Sequence, residues 1–167
     1  MKKLSAYRKL KLIALLIFVS VSGYQLMNLT IHMNDYEIIQ AAYTKKYEVV
    51  YLYDMDGDTA VFALDGKEVT CRFLAVDCPE HGDEGYDDSC SFTKKQLSNA
   101  RKIVLELDPH SEEYDRYDRL LAWVWVDDEL LQAKLIRYGH ASISYLFGNY
   151  LYTDQLYRIE KKAKKDQ

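Results

Sequence analysis

From Tyr47 onward the chain runs in short, largely apolar stretches bounded by turn signals, the pattern of strands. "YEVVYLYD" at 47–54, "TAVFAL" at 59–64 and "EVTCRFLAV" at 68–76 read as three successive strands. Asp65-Gly66, between the second and third, is a tight-turn signal, because a two-residue hairpin needs positive φ and both residue types tolerate it. Pairing about that turn sets residue 62 opposite 69 and residue 59 opposite 72. The pattern then changes. "SCSFTKKQLSNARK" at 89–102 puts Phe92, Leu97 and Ala100 on one helical face, with Asp88 or Ser89 as N-cap. "IVLELD" at 103–108 and "LLAWVWV" at 120–126 return to strand. "DELLQAKLIRYGH" at 128–140 predicts a helix opened by Asp127, Asp128 and Glu129, whose charges suit a helix N-terminus, and closed at Gly139. Beyond a loop at 144–150, "YTDQLYRIEKKAKKD" predicts a last amphipathic helix, its lysine-rich end a solvated face.

The resulting order is β-β-β-α-β-β-α-α. Five strands with a helix between the third and fourth is the order of a five-stranded OB-fold Greek-key barrel, here a mainly β (α+β) chain with three α-helices. That architecture leaves function open.

The N-terminus follows another pattern. Lys2, Lys3, Arg8, Lys9 and Lys11 precede the apolar run "LIALLIFVSVSG", and no formal charge returns until Asp35. A basic start, an apolar stretch and small residues at Ser20, Ser22 and Gly23 predict an N-terminal hydrophobic helix that is either a cleaved signal peptide or a retained membrane anchor. Both alternatives place the remainder outside the cytoplasmic membrane, secreted or held at its outer face. The expected division is leader or anchor and the start of a linker at 1–34, linker at 35–46, and one folded domain at 47–167.

Charge narrows the picture. Residues 1–29 hold five basic residues and no acidic one, which leaves 17 basic against 26 acidic, a net of −9. That balance lacks the basic footprint of a general nucleic-acid binder, so a polyanion must be held at a local site, with a cation bridging. Cys71, Cys78 and Cys90 show no zinc spacing. Cys71 reads as a buried strand thiol, and Cys78 and Cys90 could close a short disulfide loop in an oxidising compartment.

Candidate chemistry gathers around the hairpin. The predicted register puts Arg72 beside Thr59 and one residue from Asp58, while Asp77 follows Arg72 by five residues and Glu80 lies in a Pro-containing loop. On a flat ladder Asp58 and Asp77 would lie roughly 13 Å apart. Only a sharply coiled strand would let them share one ion. If they converge, oxygen ligands without His or thiolate favour Ca²⁺ or Mg²⁺. Glu80 can take a proton from water, and Arg72 can hold a phosphate bidentately. Arg116 and Arg119 are candidates for the second base that phosphoryl chemistry needs.

The ordered set "DGDT", "CRFLAVDCPE", "SFTKKQL", "YDRYDRLLAWVW" and "KLIRYGHASISY" resembles the staphylococcal nuclease (thermonuclease) family, over about Val50 to Lys165. The resemblance implies a monomeric OB-fold enzyme that hydrolyses DNA and RNA with Ca²⁺ and leaves 3′-phosphates. It implies Asp58, Asp77 and the main-chain carbonyl of Cys78 as Ca²⁺ ligands, with Thr59 in support. It further implies Glu80 as general base, Arg72 and Arg119 as the phosphate-binding and transition-state arginines, and Tyr117 and Tyr145 as substrate-binding residues. Membrane contact through an uncleaved N-terminal segment belongs to the same picture. Two departures bear on it: Asp118 stands where the family has Gly, and Phe147 where it has a base-stacking Tyr. Asp118 and the acidic balance keep a second expectation alive, a nuclease-like module that binds nucleic acid without cleaving it.

Overall fold

The computed structural model describes residues 44–166. The expected leader or anchor, its hydrophobic helix and most of the linker lie outside the described residues. Among these, no helix is long and apolar enough to cross a membrane.

Eight strands and three helices are present among the described residues: β1 (Lys46–Asp54), β2 (Thr59–Leu64), β3 (Lys67–Phe73), β4 (Val76–Asp77), α1 (Tyr86–Ser98), β5 (Ile103–Glu106), β6 (Leu120–Val126), β7 (Glu129–Leu130), α2 (Leu131–Arg137), β8 (Ser142–Ile143) and α3 (Thr153–Asp166). The five longer strands form the expected barrel. Long β1 serves two neighbours: its first half pairs with β5 and its second with β2, across a bulge between Tyr51 and Tyr53 that sharpens the strand's twist. The β2–β3 hairpin turns at Asp65-Gly66, both at positive φ, and keeps the predicted register of Thr59 with Arg72 and Phe62 with Val69. Antiparallel β5–β6 follows, and a parallel seam of Cys71–Phe73 against Leu120–Ala122 closes the barrel.

Alternation decides which side chains fill it. Ala60, Phe62, Cys71, Phe73, Leu105, Leu120, Ala122 and Val124 point inward and are buried. Arg72 and Leu121, partners across the seam, therefore share the outer face, and Arg119 lies two residues before Leu121 on that side. The buried acids face defined donors. The Glu106 carboxylate accepts from Trp125 Nε1 (2.6 Å) and Tyr152 OH (2.9 Å), and Asp108 accepts from Trp123 Nε1 (2.8 Å) and the Leu151 amide (2.8 Å). These bonds tie the segment before α3 to the barrel.

Three expectations need correction. The chain from Arg72 to Asp77 is not one coiled strand: it breaks at Leu74-Ala75, with Ala75 in the left-handed region (φ 63°), and β4 pairs instead with β8. Helix α1 starts at Tyr86 behind Gly85, with no side-chain cap from Asp88 or Ser89; Leu97 is buried and Phe92 half-buried against the core as expected, but Ser89 and Thr93 complete the buried face. Ala100 lies beyond its end. Finally, Asp127 and Asp128 make the β6–β7 turn at positive φ rather than opening a helix, and Asp127 accepts from the amides of Arg101 and Lys102. Acidic residues suit this turn as well as they suit a helix N-terminus, because Asp tolerates positive φ and bonds to nearby amides.

Candidate active site

The turn between β1 and β2 carries Asp58 into the outer wall of the barrel. Asp58 is almost fully buried, at 6% exposure. Its Oδ1 accepts from Thr59 Oγ1 (3.1 Å) and pairs with Arg72 Nε (3.0 Å), and its Oδ2 accepts from the Cys78 amide (2.8 Å). Burial pushes its carboxyl up to about 6, while Arg72, the Cys78 amide and Thr59 pull it down and Asp56 adds to the rise. The turn itself is held from behind, where Thr93 Oγ1 on α1 donates to the Gly57 carbonyl (2.6 Å). A Cβ on Gly57 would lie 2.7 Å from Ser89 Oγ and 2.8 Å from Cys78 Sγ, so only glycine allows this approach.

Arg72 organises the next layer. Its Nη1 donates to the carbonyls of Phe73 and Val76 (2.8 Å each), wrapping the bend at Ala75, and its Nη2 meets Asp77 Oδ1 at 3.3 Å. Asp58 and Asp77 thus sit on the same Nε–Nη2 edge of one guanidinium. The bend, not strand coiling, removes the separation that a flat sheet would leave. The Cys78 thiol, pushed up first by burial and then by Asp58, stays protonated, so only its main-chain oxygen is a realistic hard-cation donor. Cys71, Cys78 and Cys90 are all free thiols, and the Cys78–Cys90 bridge is not formed.

Opposite this cluster, the 115–119 turn presents Arg119. Asp115 anchors it three ways: Oδ1 accepts from the Arg119 amide (3.0 Å), and Oδ2 takes Nε and Nη2 at 2.7 Å each. Asp118 occupies the left-handed region (φ 61°), a conformation that Gly or Asp adopts readily, which accounts for the exchange at this position. Tyr117 lies under both Arg116 and Arg119, with ring-to-guanidinium distances of 4.7 and 5.4 Å. Tyr145, also at positive φ (55°), sits 5.4 Å from Arg72, and the exposed Phe147 ring is 6.5 Å from that of Tyr145.

One open cavity of about 800 Å³ gathers Asp58, Arg72, Glu80, Tyr117, Arg119 and Tyr145, with Phe147 at its edge. Asp77 and Cys78 do not line it; they reach it through Arg72 and Asp58. Glu80 is exposed, in a turn closed by Asp83, whose carboxylate accepts from the Glu80 amide (3.2 Å). Asp115, Thr93 and Gly57 are supporting residues to which sequence reasoning gave no role. For Asp115 the signal was present, four residues before Arg119. For Thr93 none was, since its partner is 36 residues away. Among the described residues no three acidic, His or Cys side chains converge as a ready metal cluster. Asp58, Asp77 and the Cys78 main-chain oxygen offer only hard oxygen atoms, the donor type that Ca²⁺ takes.

Barrel and cavity together define a class: an OB-fold protein whose outer face sets two arginines against buried and half-buried carboxylates, with aromatic rings around them. Residues 70–167 match the family model described as Staphylococcal nuclease homologue. The thermonuclease of Staphylococcus hyicus is 36% identical over 129 residues, 71% of this chain and 71% of that protein. Endonuclease YncB of Bacillus subtilis is 37% identical over 119 residues, 68% of this chain and 56% of that protein. The thermonuclease of Staphylococcus intermedius is 36% identical across 68% of this chain and 69% of its own length. The chain belongs to the staphylococcal nuclease family.

Proposed function

We propose that the chain is a Ca²⁺-dependent nuclease, exported or anchored at the outer face of the membrane, that hydrolyses DNA and RNA as a monomer and leaves 3′-phosphates. The observation that carries this reading is the single cavity shared by Asp58, Arg72, Glu80 and Arg119. Family membership and the nuclease activities that the relatives are named for support it. Asp58, Asp77 and the Cys78 carbonyl would hold Ca²⁺, which supplies charge neutralisation for a phosphodiester. Arg72 exchanges its carboxylate partners for phosphate oxygens, which it can grip bidentately. Glu80, exposed at the cavity, accepts a proton from water as the water oxygen bonds to phosphorus. Arg119, held rigid by Asp115, stabilises the added charge as the bond from phosphorus to the 5′-oxygen breaks. Tyr117 and Tyr145 orient phosphate and sugar.

Digestion of plasmid DNA and of RNA, with Ca²⁺ or with EDTA, tests the reading. Cleavage should require Ca²⁺ and fall by about 10²–10⁴ in Glu80→Gln. Activity that survives both chelation and this substitution overturns it. Asp118, a negative charge between Tyr117 and Arg119, favours a second reading, a binding module without turnover. Affinity for nucleic acid with no cleavage under any cation would select that one.

A further inference from the structure

We propose that the exposed face of α3 is a second contact surface for the nucleic-acid strand, gripping phosphates beyond the scissile one. Residues 44–152 hold 12 basic and 21 acidic residues, whereas Tyr157 to Lys165 hold five basic and one acidic. With Asp154 and Asp166 counted, the helix holds five basic and three acidic residues, so an acidic domain carries a net positive balance on this element, and most of it on the stretch from Tyr157 to Lys165. Leu156 is fully buried and Ile159 packs against the core, which turns Arg158, Lys161, Lys162 and Lys165 outward at spacings of three and four residues. Such neighbours are about 5–6 Å apart and form one stripe. From Arg158 to Lys165 the helix rises about 10 Å, which spans about three nucleotides of a duplex strand.

Pairing within the helix leaves most of this charge available. Glu160 takes Lys164 (3.1 Å), and Arg158 Nε donates to the Asp154 carbonyl (3.2 Å). Among the described residues, Lys161, Lys162 and Lys165 have no ion-pair or hydrogen-bond partner. Tyr157, half-exposed beside them, offers a ring on which a base can stack. The helix is continuous with the cavity: Tyr145, Phe147 and Tyr150 line it, and α3 begins at Thr153, whose amide donates to the Tyr150 carbonyl (3.3 Å). In a domain that is otherwise acidic, this stripe is the surface that best suits a polyanion. This surface rests on nucleic acid being the substrate, and it answers how an acidic domain holds a polymer.

The test uses the full-length chain and K161Q/K162Q/K165Q, since Gln keeps the helix propensity of Lys. Binding of a fluorescein-labelled single-stranded oligothymidylate is followed by anisotropy in EDTA against salt. Each lost phosphate contact removes about 0.7 from the slope of log K against log salt, so the variant's slope should be shallower by about 2. Between about 50 and 200 mM salt, the wild type should lose roughly twentyfold more affinity than the variant. With Ca²⁺, the variant's kcat/KM on polymer, relative to that on a dinucleotide, should drop in the same direction. Equal slopes overturn the proposal, as does an unchanged polymer-to-dinucleotide ratio. Loss of binding to phosphatidylglycerol vesicles with oligonucleotide affinity intact also overturns it and assigns the stripe to lipid. The two readings fail separately. A slope difference without any cleavage retains the surface and retires hydrolysis, while robust cleavage with equal slopes does the reverse.

Discussion

Replacing Asp58 with Asn should stabilise the metal-free protein and, on the function proposed above, abolish Ca²⁺ binding. Asp58 is raised from 3.8 to about 6, and that value already includes the pull of Arg72, the Cys78 amide and Thr59. A rise of about 2 pKa units is worth about 3 kcal/mol at pH 8, where the group is charged in both the folded and unfolded states. The sign follows from the direction. A carboxyl that binds its proton more tightly when folded favours the folded state at low pH and loses that contribution as pH rises from 3.8 through about 6. Asn keeps the acceptor for the Cys78 amide but turns its NH₂ toward Arg72 Nε, which offsets part of the gain, while Arg72 keeps Asp77 and its two carbonyls. Urea denaturation in EDTA at pH 8 should therefore show the variant's midpoint higher, by up to roughly 1.5 M for an m-value of about 2 kcal/mol/M. The gap should close as pH falls through about 6 toward 4. Added Ca²⁺ should raise the wild-type midpoint and leave the variant's where it was. A variant no more stable than wild type at pH 8, or a gap that persists at pH 4, refutes the reasoning.

Gly57→Ala should cost about 1–3 kcal/mol by forcing Ser89 and Cys78 apart, and should weaken Ca²⁺ binding along with it, measured as a smaller Ca²⁺-induced rise in melting temperature. Asp115→Asn should lower kcat more than it raises KM, because Arg119 loses its ionised anchor without leaving the cavity. Burial raises the Asp115 carboxyl, but the amides of Arg119 and Tyr117 and the Arg119 guanidinium outweigh it, and the group ends below its ordinary value. Its contribution is present above the unfolded carboxylate's range and lost as pH falls through the lowered folded value. The stability gap between wild type and Asp115→Asn, followed by acid titration at low salt, should therefore narrow on acidification. An unchanged gap refutes that account.

The barrel was legible because its signals are local. Asp65-Gly66 set the register that brings Thr59 to Arg72, and short apolar runs between turn residues marked the strands. What escaped depends on partners distant in sequence or on signals that serve two structures. Phe73, Leu74, Ala75 and Val76 are all buried, so "FLAV" reads as uninterrupted strand, and nothing local marks the left-handed Ala75. Ser89 and Thr93 form the buried face of α1 because Thr93 has the Gly57 carbonyl to bond and Ser89 the Tyr86 carbonyl. The hydrophobicity pattern found Leu97 and the flanking Phe92 and Ala100, which pack half-buried against the core, and passed over the two buried hydroxyls. Gln132, fully buried on α2, bonds the Val124 amide and the Ala122 carbonyl of β6, a role no local pattern announces.

The parallel seam between β3 and β6 has a consequence for the timing of folding. Arg72 sits on one side of it and Arg119 at the start of the other, so the distance between the two bases is set by a pairing across roughly fifty residues of intervening chain. Hairpins such as β2–β3 form from neighbours, whereas this closure must overcome the loop entropy of the whole middle of the domain. Before it forms, the chain can hold the Arg72 cluster or the Asp115–Arg119 pair, but not both around one phosphate. Completion of the barrel and assembly of the paired-arginine site are a single event, and a chain emerging unfolded from the ribosome or a translocon carries no such site.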